Sequence, residues 1–506
     1  MGGTALGVAR FGATTGENAP MPLTRRHPAW WGGRTHVTVT IIIFVVLASL
    51  DNAAAALIPA MVLPVTEALD TTEAAIGVLT ASVILVTALT ATAWGYLGDR
   101  SSRKRLLFFG TLIWAAGAGL SATADTFWQL FAYQMLLAVG LGSIASVGFS
   151  VISDLIAPIR RGLAMSFWGL SQGIGGLAGG LLASQLGANN FRVPLAVIAV
   201  LGVAFAVLYL LTFDTPRGFK EPELRELYAA GKEYEYRIDR SQIPLLLRRR
   251  TNIWLILQGL SAQVAYGSLI WVPLLYQEKV IAEGYDVATA TKVGGLLGAA
   301  FQLGGLFSII AGHIGDRVQQ RTLRGRAIVS TVGILGAIPF FLAFFFVPLK
   351  GLDVTNGAGT GTLTAEVLGE LLTNPWVATA FLLSLLALAF TGADSPNWFA
   401  LISDVNMPEH RGTVFGIGNL ANGVGRSLGN AMAAGLADTI STAFPPPLNW
   451  AIGLSAFQVF FLPTGYCYWR AAGTCPDDIR EVRAVMAARG QGTHGGPPPD
   501  AGVQRE

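Results

Sequence analysis

Apolar runs of about twenty residues, parted by short polar stretches, recur along the chain. They cover about 37–60, 73–96, 105–123, 128–152, 162–186, 193–213, 252–276, 291–314, 326–348, 375–402, 412–436 and 447–469. Roughly 20 mostly apolar residues cross the hydrocarbon core of a bilayer as a helix. The pattern therefore predicts an all-α polytopic membrane protein with twelve transmembrane helices. Composition agrees: 52% of the residues are hydrophobic and 13% are charged, against roughly 25% charged in an ordinary soluble domain. A large soluble enzyme with buried helices would need far more charged surface.

The polar stretches alternate in charge. Arg25, Arg26 and Arg34 precede the first helix; Arg103, Lys104 and Arg105 follow the second, Arg160 and Arg161 the fourth, and Arg248, Arg249 and Arg250 the sixth. Arg317, Arg321, Arg324 and Arg326 follow the eighth and Arg411 the tenth, whereas the other loops carry Glu67, Asp70, Glu73, Asp125, Asp353, Glu366 and Glu370. Lysine and arginine in short loops stay inside, so both termini are expected in the cytoplasm and the protein in the plasma membrane. The net charge of +3 reflects this asymmetry and does not point to nucleic acid. Residues 1–36 contain no apolar core, so the first helix itself is expected to serve as the insertion signal. Cys467 and Cys475 fall at the cytoplasmic end, where a disulfide is not expected.

Ser153-Asp154-(x)3-Pro158-(x)2-Arg161-Gly162 recurs as Ser403-Asp404-(x)3-Pro408-(x)2-Arg411-Gly412, an offset of 403 − 153 = 250 that holds through Gly175/Gly425 and Gly179/Gly429. Gly95-Tyr96-Leu97-Gly98-Asp99-Arg100-Ser101-Ser102-Arg103-Lys104-Arg105 has a second copy in Gly312-His313-Ile314-Gly315-Asp316-Arg317, an offset of 316 − 99 = 217. An enlarged outer loop at about 349–374 accounts for most of the difference. The chain reads as two parallel six-helix repeats: an N-terminal segment 1–36, a bundle 37–213, a charged linker 214–250 with a surface helix near Glu223–Tyr236, a second bundle 251–470, and a disordered tail 471–506. Each Gly-Asp-Arg cluster, too charged for hydrocarbon, is expected in a short water-side loop.

The first cluster resembles the signature loop of the major facilitator superfamily, G-x-L-(G/A)-D-R-x-G-R-(K/R)-(K/R), departing from it at Ser102. The resemblance implies the major facilitator fold, two pseudo-symmetric bundles, over roughly 35–470. It also implies a cytoplasmic gate in which Asp99 meets the positive end of the eleventh helix, with Gly95, Arg100, Arg103, Asp154 and Arg161 in one half and Asp316, Arg317, Asp404 and Arg411 mirroring them. Gly175, Gly176, Gly179 and Gly180 are dense enough to suggest close helix packing. They are similar to the exporter-associated Gly-Pro-x-x-Gly-Gly motif, with Gly176 at the proline.

No Gly-x4-Gly-Lys-(Ser/Thr) loop, Gly-x-Ser-x-Gly elbow or His-Glu-x-x-His pair occurs, so neither ATP drive nor hydrolytic chemistry is expected. No metal or cofactor is expected either. What remains is a gradient-driven carrier, with protons and a small-molecule or lipid substrate as its partners, working as a monomer among membrane lipids. Its coupling group should be an ionisable residue at membrane depth. Asp51 lies roughly 25 Å along its helix from Arg34, Asp394 roughly 15 Å from Asp404, and Arg426 roughly 22 Å from Arg411. Asp51 and Asp394 are the proton-coupling candidates, and an Asp394–Arg426 ion pair is feasible.

By the same resemblance, helices 1, 4, 7 and 10 line a cavity. Gln258, Gln263, Tyr266 and Trp271 in the seventh, Asn397 and Trp398 in the tenth, and Asn419 and Asn422 in the eleventh would serve an amphipathic or hydrophobic solute. Leu245-Leu246-Leu247-Arg248-Arg249-Arg250-Thr251 leading into Trp254, Trp271-Val272-Pro273, and Leu50-Asp51 are similar to spinster-like lipid carriers. Asn52 stands where that family has arginine, and Ser143 where it has glutamate. A drug or metabolite exporter, a proton symporter importing a polar metabolite, and a non-transporting receptor or scaffold are the other readings.

Overall fold

The computed structural model describes residues 34–148, 151, 161–212 and 243–490, and among these the ordered elements are helices. Six form a first set: Arg34–Ala60, Glu73–Arg100, Arg103–Ser121, Phe127–Ser143 extended by the π-turn Ile144–Gly148, Arg161–Gly187, and Arg192–Tyr209. The second set starts with the seventh span, Arg250–Ser268 and Val272–Ala282, and the eighth, Val287–Gln302 and Phe307–Arg321. Gly325–Phe346 is the ninth, Pro375–Thr391 with Asp394–Val405 the tenth, Pro408–Ile440 the eleventh, and Leu448–Phe457 with Phe461–Gly490 the twelfth. Inner and outer below follow the arginine distribution.

Local chemistry sets the ends. Thr72, Thr126 and Asp286 each accept a hydrogen bond from a backbone N–H three residues on, capping the second, fourth and eighth spans. Asn374 accepts from the Trp376 and Val377 N–H groups, with Pro375 in the first turn of the tenth. The seventh span tightens to a 3-10 turn at Leu269–Trp271, just before Pro273, which has no N–H to donate into the ladder.

Three expectations need correction. The Gly-Asp-Arg clusters are not loops: Gly95–Arg100 and Gly312–Arg317 are the last turns of helices, because helices run past the hydrocarbon into interfacial water, where charges cost little. The tail 471–506 is helical to Gly490, since Cys475, Ile479 and Val482 remain buried along one face. Arg249, placed in the linker, holds that extension by ion pairs to Glu481 at 2.8 Å and Asp478 at 3.8 Å. The third concerns the glycines.

A Cβ at Gly175 would collide with the Ser49 carbonyl, and one at Gly179 with Ala53 backbone; Gly425 and Gly429 stand the same way against the Leu260 and Val264 carbonyls. The repeat of 250 residues is thus a repeat of contact: the fifth helix seats on the first as the eleventh seats on the seventh. Gly176 and Gly180 do not share this packing role, because they lie about 100° further round the helix and nothing comes within 4 Å of where their Cβ atoms would stand. Gly179→Val is expected to lower folded yield and thermal stability in detergent, and Gly180→Ala to leave both unchanged, as read by fluorescence-detected size exclusion and thermal shift.

Candidate functional site

The two bundles meet along their outer halves. Asn430 Nδ2 donates to Thr80 Oγ1 (2.8 Å) and Ser427 Oγ to the Ala81 carbonyl (2.8 Å), joining the eleventh span to the second. Gln185 Nε2 donates to the Lys292 carbonyl (3.0 Å) and Gln277 Nε2 to the Ala60 carbonyl (3.1 Å), joining the fifth to the eighth and the first to the seventh. Backbones come close because Gly77 faces Ala434, Gly423 faces Ala88 and Gly295 faces Ser184, each without room for a Cβ. Trp271 stacks on Trp450 with centroids 5.0 Å apart and donates to the Asn430 carbonyl, stiffening the seal from within the second bundle. The outer side is closed.

Arg426 sits on the eleventh helix between two packed faces. Gly425 and Gly429 press on the seventh span, Gly423 and Ser427 on the second. Its side chain is nonetheless exposed, so it opens into the space between the bundles. One and two turns inward on the same face lie Asn422 and Asn419, both partly exposed; Gln263 borders Gly425 from the seventh helix. The structure therefore brings Gln263, Asn419, Asn422 and Arg426 to one wall.

Asp394 is elsewhere. It is buried inside the second bundle, where its Oδ1 accepts from Gln258 Nε2 (2.9 Å) and from the Tyr468 hydroxyl, with Tyr266 bordering the carboxyl. The feasible pair with Arg426 is not formed, because the tenth helix turns Asp394 toward the twelfth helix rather than toward the eleventh. Asn397 donates to the Ala393 carbonyl and Trp398 to the Leu255 carbonyl; both are buried in the same bundle, Trp398 with its ring against Gly418 of the eleventh helix. Tyr468, lying in an apolar run, gave no sequence signal of its role.

Asp51 is 3% exposed, and among the described residues neither of its carboxyl oxygens has a hydrogen-bond partner. The Trp114 indole faces it, and its N–H completes no hydrogen bond either. The two acids thus differ: Asp394 accepts two hydrogen bonds at Oδ1, whereas among the described residues Asp51 completes none.

At the inner face, Arg326 bridges Asp316 (2.8 Å) and Asp404, linking the ends of the eighth and tenth spans. The mirror cluster is built by Arg326 where Arg317 was expected, because the ninth helix starts beside both carboxylates. Arg103 is buried. Asp154, and the side chains of Asp99, Arg100, Arg161 and Arg411, lie outside the described residues, as does the stretch 223–236.

Two six-helix sets closed at one side and lined by a wall of polar side chains define a polytopic secondary transporter, and the Major Facilitator Superfamily profile matches residues 41–430. The chain belongs to that superfamily. Within it, the chain is similar to spinster proteins. It is 26% identical over 361 residues to "Sphingosine-1-phosphate transporter SPNS2" of Danio rerio, covering 66% of this chain and 69% of that one. It is 25% identical over 367 residues to "Protein spinster homolog 3" of Homo sapiens, covering 69% of each. Against the Mus musculus protein of that second name the chain spans 43% of the relative's length. A solved bacterial homolog to the human lysosomal transporter spinster, in an inward-facing and occupied conformation, aligns with TM-score 0.63 at 18% identity, covering 88% of this chain and 99% of that one.

Proposed function

We propose that the chain is a proton-driven, alternating-access exporter of amphipathic solutes that carry an anionic head and an apolar tail. The observation that carries this is Arg426, an exposed cation on a wall otherwise made of uncharged amides. Arginine presents a planar donor fork suited to carboxylate or phosphate, and Asn419, Asn422 and Gln263 add neutral donors beside it. The first relative is by its name a sphingosine-1-phosphate transporter, which fits the same chemistry. Asp51 is the proton carrier in this reading. The protein sits in the plasma membrane with both termini in the cytoplasm, and the outer seal corresponds to the state loaded from inside.

Reconstitution into liposomes with an imposed pH gradient tests the proposal. A labelled anionic lysolipid is expected to be moved by the gradient, and a cationic dye to be left behind. Arg426→Gln removes a charge-assisted contact of about 1.5–3 kcal/mol, so apparent affinity should fall roughly 10- to 100-fold. Transport of the dye alone, or of the lysolipid with unchanged affinity in Arg426→Gln, would overturn the assignment.

A further inference from the structure

Between the ninth and tenth spans the chain builds a strap, 347–359, and a helix, Thr360–Thr373. The strap is clamped to the outer ends of the seventh and eighth spans. Lys279 Nζ donates to the Val347 carbonyl (2.8 Å), the Tyr285 hydroxyl to the Leu352 carbonyl (2.6 Å), and the Gly357 N–H to Thr289 Oγ1 (2.9 Å). Lys292, whose own carbonyl takes part in the outer seal through Gln185, reaches the Ala358 carbonyl.

The helix that follows has three unlike sides. At 100° per residue, Leu363 and Val367 point one way, and both are buried. Thr362, Glu366 and Thr373 form a polar flank. There Glu366 accepts from the Thr355 hydroxyl (2.7 Å) and N–H (2.8 Å), bonds that hold its carboxyl below the usual carboxylate range. Gly361, Ala365, Leu368 and Leu372 fall within about 60° of one another on the third side. That side is entirely apolar and open: Leu368 is 57% and Leu372 88% exposed.

Trp376 and Leu382 of the tenth span, which begins directly after this helix, are exposed as well. Lys350 lies over the Trp376 ring at 5.8 Å, an aromatic and a cation at the level where membrane interfaces hold such residues. A polar flank, protein behind and an open apolar stripe on a helix that leads into a membrane span are what a helix lying in the interface requires.

We propose that Thr360–Thr373 is an interfacial helix that inserts Leu368 and Leu372 among the lipids of the outer leaflet. It anchors the strap, and through the strap the outer end of the eighth span, to the bilayer surface. The full chain in lipid nanodiscs provides the test, with an environment-sensitive fluorophore placed in turn by Leu368→Cys, Leu372→Cys and Thr373→Cys; Cys467 and Cys475 are buried, and labelling of the unaltered chain supplies the background. At 368 and 372 the label is expected to emit at shorter wavelength, to be quenched severalfold by lipid carrying a nitroxide high on its acyl chain, and to be shielded from iodide. At 373 the pattern should reverse. Quenching by iodide at both leucine positions, with no effect of the nitroxide lipid, would overturn the proposal. So would disulfide-linked dimers of Leu372→Cys, since a second copy would then cover the stripe.

Discussion

Asp51→Asn is expected to abolish movement of substrate driven by a pH gradient while leaving counterflow of substrate against substrate within about twofold of the parent. An ionised carboxylate at membrane depth costs about 2.5–3.5 kcal/mol or more on insertion scales, unless it is paired or hydrated. Asp51 is buried, and among the described residues neither of its oxygens completes a hydrogen bond, so in our reading it holds its proton in this inward-loading state. Asparagine matches the protonated acid in shape and carries no charge, so the closed seal should form as before and the substrate wall is untouched. What the variant cannot do is give the proton up when the first span moves. Flux measured in proteoliposomes, with and without the gradient, separates the two activities. Gradient-driven flux that survives in Asp51→Asn would remove this residue from the coupling.

Much of the scaffold could be read from residue spacing, because the spacing is itself the record of a contact. Gly175 and Gly425 stand 250 positions apart in the chain and each takes a carbonyl of the neighbouring helix at the same place in its bundle. The hydrophobic runs placed the spans, since about twenty apolar residues in sequence admit few other fates. What spacing could not supply was azimuth. Counting residues from helix ends put Asp394 and Arg426 roughly 15 Å and 22 Å deep, within an arginine's reach, yet depth says nothing about which way a side chain faces. Asp394 turns toward Tyr468 of the twelfth span and Arg426 into the gap between bundles.

The end of the chain was misread for a related reason. Residues 471–490 are polar enough to look like solvent-borne tail, but their helix is held by partners distant in sequence, Arg249 and the Leu323 carbonyl. Arg326 was counted among the loop cations that set orientation, and only the fold brings it between Asp316 and Asp404.

Asp394→Ala is expected to have the largest effect on stability, and Asp394→Asn a small one. Gln258 from the seventh span and Tyr468 from the twelfth both donate to one carboxyl oxygen, so the acid ties three helices at a buried point. Alanine removes that acceptor, leaving the buried Gln258 amide without its partner and the Tyr468 hydroxyl with only the long contact to the backbone carbonyl of residue 394 at 3.4 Å. An orphaned donor costs about 1–3 kcal/mol, a range lipid-embedded proteins reach only at its lower end, where interhelical hydrogen bonds average about 0.6 kcal/mol. The emptied volume adds a cavity on top of this. Asparagine keeps an oxygen in place and should hold most of the network. Thermal unfolding in detergent should therefore rank the parent close to Asp394→Asn and well above Asp394→Ala, while gradient-driven flux of Asp394→Asn stays near that of the parent. If Asp394→Asn instead unfolds normally but loses gradient-driven flux, Asp394 carries the proton and the division of labour between the two acids is reversed.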